Sequence, residues 1–446
     1  MVTLGPESIK EKNLKKLSKK TKIFRFNGSH GDLNWHKNSI NFVRKSVVDP
    51  LIVMDIPGIK PRTNNTEKIL IKKNETFHFG NKKTSIQNRY INLSNPLPAI
   101  CKKQKQFSVA DGNYSFKLLK FNSNELTGKS LSDFTLLPKK GFNIPLSKYN
   151  EDLQEKIYLN FINKIKDFNI DGLGLSFIQS SKVIKKIKKK YPNFFLISKI
   201  ENYEGYLNRD EIIKYSDAIM IDRGDLCAEI GIDKLFESIE EISIVTKSNG
   251  KPLIMATENL ETMLYKDNPS KSEIMSLGHA NKIGTDCIML SDETALTKKS
   301  LKITNWLYKF LKNLSQDISF KNLKSETKKS DFCEDNYSLK NSSVLVASCT
   351  GKTLNKLISE QKFNDIILIT NNKKLINISK LFSLKIKTIK TKIKNIHCET
   401  NLFKIIKRNA LYVFKTKKEI IAVSLTNKKK QIRDNFVTLK KSNFIK

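Results

Sequence analysis

Four short apolar runs in this chain each stop abruptly at a polar or charged group. Phe194-Phe195-Leu196-Ile197 gives way to Ser198-Lys199-Ile200-Glu201, and Ala218-Ile219-Met220-Ile221 to Asp222-Arg223-Gly224-Asp225. Pro252-Leu253-Ile254-Met255-Ala256 stops at Thr257, and Cys287-Ile288-Met289-Leu290 stops at Ser291-Asp292-Glu293-Thr294. The landmarks Lys199, Asp225, Thr257 and Ser291 lie 26, 32 and 34 residues apart, room for one strand and one helix each time. Continuous apolar strands that alternate with helical stretches are parallel strands covered on their faces. In a closed (β/α) barrel the reactive groups gather where strands end at the C-terminal rim. The pattern therefore brings a lysine, two carboxylates, an arginine and a threonine to one rim, a set suited to phosphate and a divalent metal.

Other elements follow from the same patterning. Residues 8–20 read as a lysine-rich amphipathic helix, 23–26 and 51–55 as barrel strands, and 34–45 as the helix between them. From about 64 to 135 the helical period disappears and short alternating pieces take over (68–72, 107–109, 114–119, 126–129), which predicts a small inserted β domain. The barrel resumes with a helix at 152–168 and a strand at 172–177, and a helix at 306–314 closes it. A charged stretch at 321–336 reads as a linker. Beyond it, strands at 344–347, 366–369, 411–414 and 420–424 alternate with helices as in a compact α/β domain. The expected division is a barrel of 1–63 and 138–320, an insert of 64–137 and a C-terminal domain of 335–446.

Composition changes the picture in two places. The net charge is +37, a balance that often marks a nucleic-acid or anionic-surface binder. Here the excess is lysine, 73 against eight arginines, spread over the whole chain rather than focused in one arm. It reads as a solvated coat, with no specific nucleic-acid partner expected. Against that background, three of the scarce arginines stand in the motif stretches described next: Arg25, Arg62 and Arg223. A planar bidentate donor is not replaceable by an ammonium where phosphate geometry matters. No apolar stretch reaches the ~18–20 residues that a membrane helix needs. The six scattered cysteines and the absence of a signal-peptide pattern predict a reduced, cytoplasmic protein.

Taken in order, the motif stretches resemble the pyruvate kinase family. They are Thr3-Leu4-Gly5-Pro6, Arg25-Phe26-Asn27-Gly28-Ser29-His30-Gly31, Met54-Asp55-Ile56-Pro57-Gly58-Ile59-Lys60-Pro61-Arg62-Thr63, and the four strand ends above. Within the inserted segment, which matches the family's mobile lid, Asp111-Gly112 resembles the family's D-D-G turn, and Lys139-Lys140-Gly141-Phe142-Asn143-Ile144-Pro145 after it resembles K-K-G-V-N-L-P. The resemblance implies a (β/α)8 TIM barrel with an inserted β-barrel lid and a C-terminal α/β regulatory-type domain. It implies Mg2+- or Mn2+-dependent transfer of phosphate from phosphoenolpyruvate to ADP, giving pyruvate and ATP, in a homotetramer.

Residue by residue, the resemblance makes Lys199 the ammonium that stabilises the phosphoryl group in flight. Glu201 and Asp225 become the metal ligands, and Thr257 part of a water-borne proton relay to the enolate carbon, since a hydroxyl is a poor acid by itself. Arg25 and Ser176 would contact the phosphoryl group, and the backbone at Arg223, Gly224 and Asp225 the substrate carboxylate. Arg62, Lys140, Asn27 and His30 would meet the nucleotide. Asn27, Ser29 and Asp55 match the oxygens of a monovalent-cation site. Lys60 stands where potassium-dependent members carry glutamate, so its ammonium is expected to serve as an internal cation and potassium is not expected to be required. Ser348-Cys349-Thr350-Gly351-Lys352-Thr353 resembles an effector-phosphate loop, or is a simple strand-to-helix turn.

The chain also departs from the family pattern. Asp222 replaces a small residue, Cys227 and Asp292 replace glycines, Glu258 a glutamine and Ile56 a hydroxyl residue, while the lid is shortened. These departures keep two rivals in view, a ligand-binding protein of impaired activity and a lyase built on the same barrel. A lyase would have no need of the lid or of Arg25 and Arg62.

Overall fold

The computed structural model describes residues 1–81, 89–317, 342–360, 363–383, 386–393, 396, 399–414, 419–424 and 435–444. The expected linker at 321–336, Cys333 and Cys398 lie outside them. Eight parallel strands run in sequence order around the central sheet: β1 (Val2–Thr3), β2 (Ile23–Asn27), β3 (Leu51–Ile56), β4 (Gly172–Leu175), β5 (Phe195–Ile200), β6 (Ala218–Asp222), β7 (Leu253–Ala256) and β8 (Cys287–Ile288). A parallel bridge between Val2 and Leu290 joins the two edges, with Thr3 N–H donating to the Leu290 carbonyl at 2.9 Å. The ring is closed, as the TIM-barrel reading expects.

Strand side chains alternate between faces, and the alternation sets both core and site. Ile52, Met54, Leu196, Ile219, Leu253 and Met255 pack outward against the helices. Leu51, Val53, Phe195, Ile197, Met220, Ile254 and Ala256 fill the interior. Continuing that inward series by two residues gives Asp55, Lys199 and Asp222, so the polar set stands directly above the apolar plug. The short strand β4 makes room for it. A Cβ on Gly174 would lie 2.1 Å from Asp55 Oδ1, and one on Gly172 2.3 Å from the Phe195 ring.

The insert is a six-stranded sheet beside a two-stranded one, built on Phe79, Phe107, Phe116 and Phe142, whose rings pack edge-on, tilted or stacked. It rejoins the barrel through an antiparallel bridge between Arg62 and Gly141.

The C-terminal sheet has five strands in the order Ile386–Lys390, Phe363–Thr370, Ser342–Ala347, Glu419–Ser424, Asn435–Lys440. The strand expected at 411–414 is instead a helix, Ala410–Val413, in which Ala410 and Val413 are buried while Leu411 is 77% exposed. A four-residue apolar run carries no period that separates strand from helix. The helix Lys373–Ser379 and Ser383 just after it meet the barrel's lower end through three aspartates that each precede a strand. Asp171 accepts from Arg44 and Asn377, Asp217 from Lys188 and Lys374, and Asp286 from Lys247 and Ser383.

Candidate active site

Lys199 lies near the end of β5 and is 4% exposed. Its Nζ is 2.5 Å from Glu201 Oε1, 3.5 Å from Asp55 Oδ2, 3.5 Å from Ser176 Oγ and 3.6 Å from Asp222 Oδ2. Burial alone would favour loss of its proton, but Glu201, Asp55 and Asp222 overturn that and raise its proton affinity well above the usual lysine range. The ammonium is therefore held charged. Arg25 sits beside it on β2, its Nε on Asp55 Oδ2 at 2.9 Å and its Nη1 within 3.0 Å of Thr3 and 3.3 Å of Ser291.

Glu201, Asp222 and Asp225 converge, with one carboxylate oxygen from each within 4.8 Å of the others. Burial, with Asp222 and Asp225 nearby, pushes the Glu201 carboxyl upward against the pull of Lys199. Three acids this close repel unless cations sit among them, and a divalent ion with its oxygen preference fits that demand. Phe177, whose φ is +61°, turns its N–H onto Glu201 Oε2 at 2.5 Å and fixes the carboxylate's orientation. Asp225 lies in the first turn of the helix Arg223–Ile230, so its carboxylate and the free N–H groups of that turn face the same mouth.

The Lys60 ammonium donates to Asp225 and, at 2.6 Å, to Asp111 of the insert. The potassium-site oxygens are engaged otherwise: Asn27 Oδ1 accepts from Ser29 N–H at 3.1 Å and Asp55 Oδ2 from Arg25, while Asp55 Oδ1 is buried without a partner among the described residues. Both Asp225 and Asp111 lie in reach because Gly141 has no side chain. A Cβ there would stand 2.1 Å from Asp111 Oδ1 and 2.5 Å from Lys60 Nζ.

Thr257 directly follows β7 with φ +58° and is itself followed by Glu258 at +51°. Its hydroxyl is 2.9 Å from Asp222 Oδ1 and 3.3 Å from the Gly224 N–H. Arg223 does not reach the acidic cluster with its guanidinium. It donates to the Thr257 carbonyl at 2.5 Å, the Glu258 carbonyl at 2.7 Å and Asn259 Oδ1 at 2.9 Å, and to Ser276. A Cβ on Gly224 would meet only Glu258 and Thr257 side chains at 3.6 and 3.9 Å, so glycine there leaves space open over the helix start.

Of the expected nucleotide residues, Arg62 and Lys140 stand where the insert joins the barrel, while Asn27 ends β2 opposite Asp55 and His30 follows it in the next turn. Arg62 donates to the Lys139 carbonyl at 3.2 Å, and Lys140 N–H to Thr63 Oγ1 at 3.0 Å. The His30 imidazole loses basicity through burial first and then through the Arg62 charge. Sequence reasoning counted Asp222 only as a departure and did not give Asp111, Phe177 or Thr3 a part. The signal for Asp222 was present: it is two residues past Met220 on the inward face of β6.

Residues 1–301 match the family described as the pyruvate kinase barrel domain. A pyruvate kinase of Thermococcus litoralis is 30% identical over 335 residues, 71% of this chain and 69% of that protein. One of Lachancea kluyveri is 29% identical over 414 residues, 85% of this chain and 82% of its own length. In fold, the chain is similar to the crystal structure of a pyruvate kinase from Cryptosporidium parvum, with a TM-score of 0.80 at 22% identity, covering 98% of this chain and 95% of the other.

Proposed function

The chain belongs to the pyruvate kinase family, and from that premise we propose that it moves the phosphoryl group of phosphoenolpyruvate to ADP, giving pyruvate and ATP. The observation that carries the reading is a charged lysine, 4% exposed, set among Glu201, Asp55 and Asp222 at the barrel mouth with Arg25 alongside. Phosphoryl transfer needs positive charge fixed in place more than it needs covalent chemistry. Lys199 and Arg25 supply it, both set against Asp55 Oδ2, and need no reorganisation at the moment of transfer. Glu201 and Asp225 would hold a Mg2+ or Mn2+, which supplies further charge to the phosphoryl oxygens. The helix start at Arg223-Gly224-Asp225 would accept the substrate carboxylate on its N–H groups. Arg62 and Lys140, with Asn27 and His30, would face the nucleotide from the lid junction.

Potassium is proposed to be dispensable, because Lys60 already carries a positive charge to the acidic rim. In tetramethylammonium buffer the rate should be unchanged by added KCl, beyond what an inert salt does at equal ionic strength. A large rise specific to potassium would show that Lys60 does not fill that place. The function itself is tested by coupled detection of pyruvate from phosphoenolpyruvate and ADP with Mg2+. Activity abolished by chelation and by Lys199→Met is expected. A folded, metal-loaded protein that forms no pyruvate would leave the ligand-binding reading in its place.

A further inference from the structure

We infer that Asp222 is a positioning residue for Thr257, fixing its hydroxyl for the proton step that follows phosphoryl transfer; the inference rests on the phosphotransferase reading above. The register of β6 and β7 pairs Asp222 with Ala256, so the next residue, Thr257, falls beside the Asp222 side chain at the rim. Thr257 and Glu258 both have left-handed φ, +58° and +51°, a conformation that a β-branched residue adopts only under constraint. Three consecutive residues supply that constraint. Asp222 Oδ1 takes the Thr257 hydroxyl at 2.9 Å, the Arg223 guanidinium holds the carbonyls of Thr257 and Glu258 at 2.5 and 2.7 Å, and Gly224 N–H points at Thr257 Oγ1 from 3.3 Å.

Asp222 is 7% exposed and its other oxygen is turned to Lys199 at 3.6 Å, so its orientation is set from both ends. The Thr257 oxygen has one proton to give, and its acceptors are Asp222 Oδ1 and the Ala256 carbonyl at 2.8 Å. With the proton directed there, the remaining lone pair of Thr257 faces the mouth as an acceptor. It can hold a solvent water with one O–H aimed at the enolate carbon. In the proton step the enolate's π pair forms the new C–H bond, the water O–H breaks, and the hydroxide left behind takes a proton from solvent. A small residue at position 222 could make neither contact. Lacking Asp222, Thr257 could turn its proton toward the mouth and lose the water.

The experiment follows solvent deuterium into the pyruvate methyl group by NMR in the presence of ATP and Mg2+, beside steady-state turnover and Mn2+ titration by electron paramagnetic resonance. Asp222→Ala should slow methyl exchange at least tenfold, with the KM for phosphoenolpyruvate within about twofold and Mn2+ affinity within about threefold of the parent. Asp222→Asn, whose amide oxygen still accepts from Thr257, should recover most of the exchange. In a Thr257→Val background Asp222→Ala should add no further loss. Asp222→Ser, too short to reach Thr257, takes the same readings if the alanine variant does not fold. Unchanged exchange in Asp222→Ala or Asp222→Ser overturns the inference, and so does a tenfold loss of Mn2+ affinity in both Asp222→Ala and Asp222→Asn, which would make Asp222 a metal ligand instead. A parent protein that makes no pyruvate from phosphoenolpyruvate and ADP overturns the underlying reading, not this residue alone.

Discussion

Lys199 serves the fold and the site with one charge. It offsets part of the charge of Glu201, Asp55 and Asp222 in a mouth where isolated charges are expensive. Lys199→Met should lower turnover by roughly two to three powers of ten or more, the scale set by losing one fixed donor to a transition-state charge. It should also lower stability, by about 3–5 kcal/mol if no cation replaces it. Added Mg2+ should then raise the melting temperature of the variant more than that of the parent, which calorimetry reads directly. Glu229 makes the opposite case. It is fully buried, accepts from Asn143 at 2.8 Å and Tyr149 at 2.9 Å, and has its second oxygen unpartnered among the described residues. Burial pushes its carboxyl up to about 8. A raised acid means that folding binds a proton, so this group's stability is full below about pH 4.3, its unfolded value, and is lost as pH rises toward 8. Glu229→Gln should therefore flatten the decline in urea stability between pH 5 and pH 8 and be the more stable protein at pH 8. Equal slopes in the two proteins would refute this. Lys199, Glu201 and Asp225 were legible because each follows an apolar run that could only be a barrel strand. The inward parity of Asp222 was legible too, but its contact with Thr257 was not, nor was Glu229, whose partners Asn143 and Tyr149 come from far off in sequence.

At the scale of elements, strand parity carries the design. The inward series of β3, β5 and β6 ends in Asp55, Lys199 and Asp222, and at the opposite end of the ring the aspartates that precede β4, β6 and β8 tie strand backbone to barrel helices and to the C-terminal helix Lys373–Ser379 with Ser383 just after it. Asp217 accepts from Leu196 N–H at 2.8 Å, Lys188 at 2.8 Å and Lys374 at 2.9 Å. Burial alone would raise its pKa, but Lys188 and Lys374 hold it below the usual carboxylate range. Its stabilisation is present above the unfolded value near 4 and is lost as pH falls through the lower folded value. Asp217→Asn should thus cost about 1–3 kcal/mol at neutral pH, with the gap from the parent closing below pH 3.5. Thermal melts at pH 7 and pH 3 check it, and a pH-independent gap would count against the charge-based account. The barrel strands were readable because they are buried on both sides and unbroken. Ile386–Lys390 was not, because Ile-Lys-Thr-Ile-Lys hides a half-exposed strand among the lysines that fill every other segment. The helix Ala410–Val413 was misread for the converse reason, an unbroken apolar run too short to declare its period.

Assembly and charge meet at the scale of the whole molecule. The helix Ile232–Ser248 leaves Ile232 76% and Phe236 65% exposed, one turn apart, and the helix Lys271–Lys282 leaves Met275 73% exposed, one turn from His279. The Phe236 and His279 rings lie 5.1 Å apart, so the two helices present one apolar face between them. A contiguous face of this kind is what a symmetric self-association would cover, and the homotetramer that the sequence resemblance implies would bury it. Each chain nevertheless brings a charge of +37, carried mostly by lysines too evenly spread for the sequence to reveal which helices they spare. Self-repulsion between like-charged subunits reaches about 30 Å at 10 mM salt but only about 8 Å at 150 mM. Assembly should therefore depend on salt. At micromolar concentration and 150 mM salt, light scattering should give about four times the 51.2 kDa chain mass, falling at 10 mM salt as subunits part. Phe236→Glu, which sets a carboxylate on the apolar face, should reduce the mass at 150 mM salt while leaving the circular dichroism of the chain unchanged. A monomer mass at both salt concentrations would refute the tetramer. A tetramer indifferent to Phe236→Glu would move the interface elsewhere on the surface.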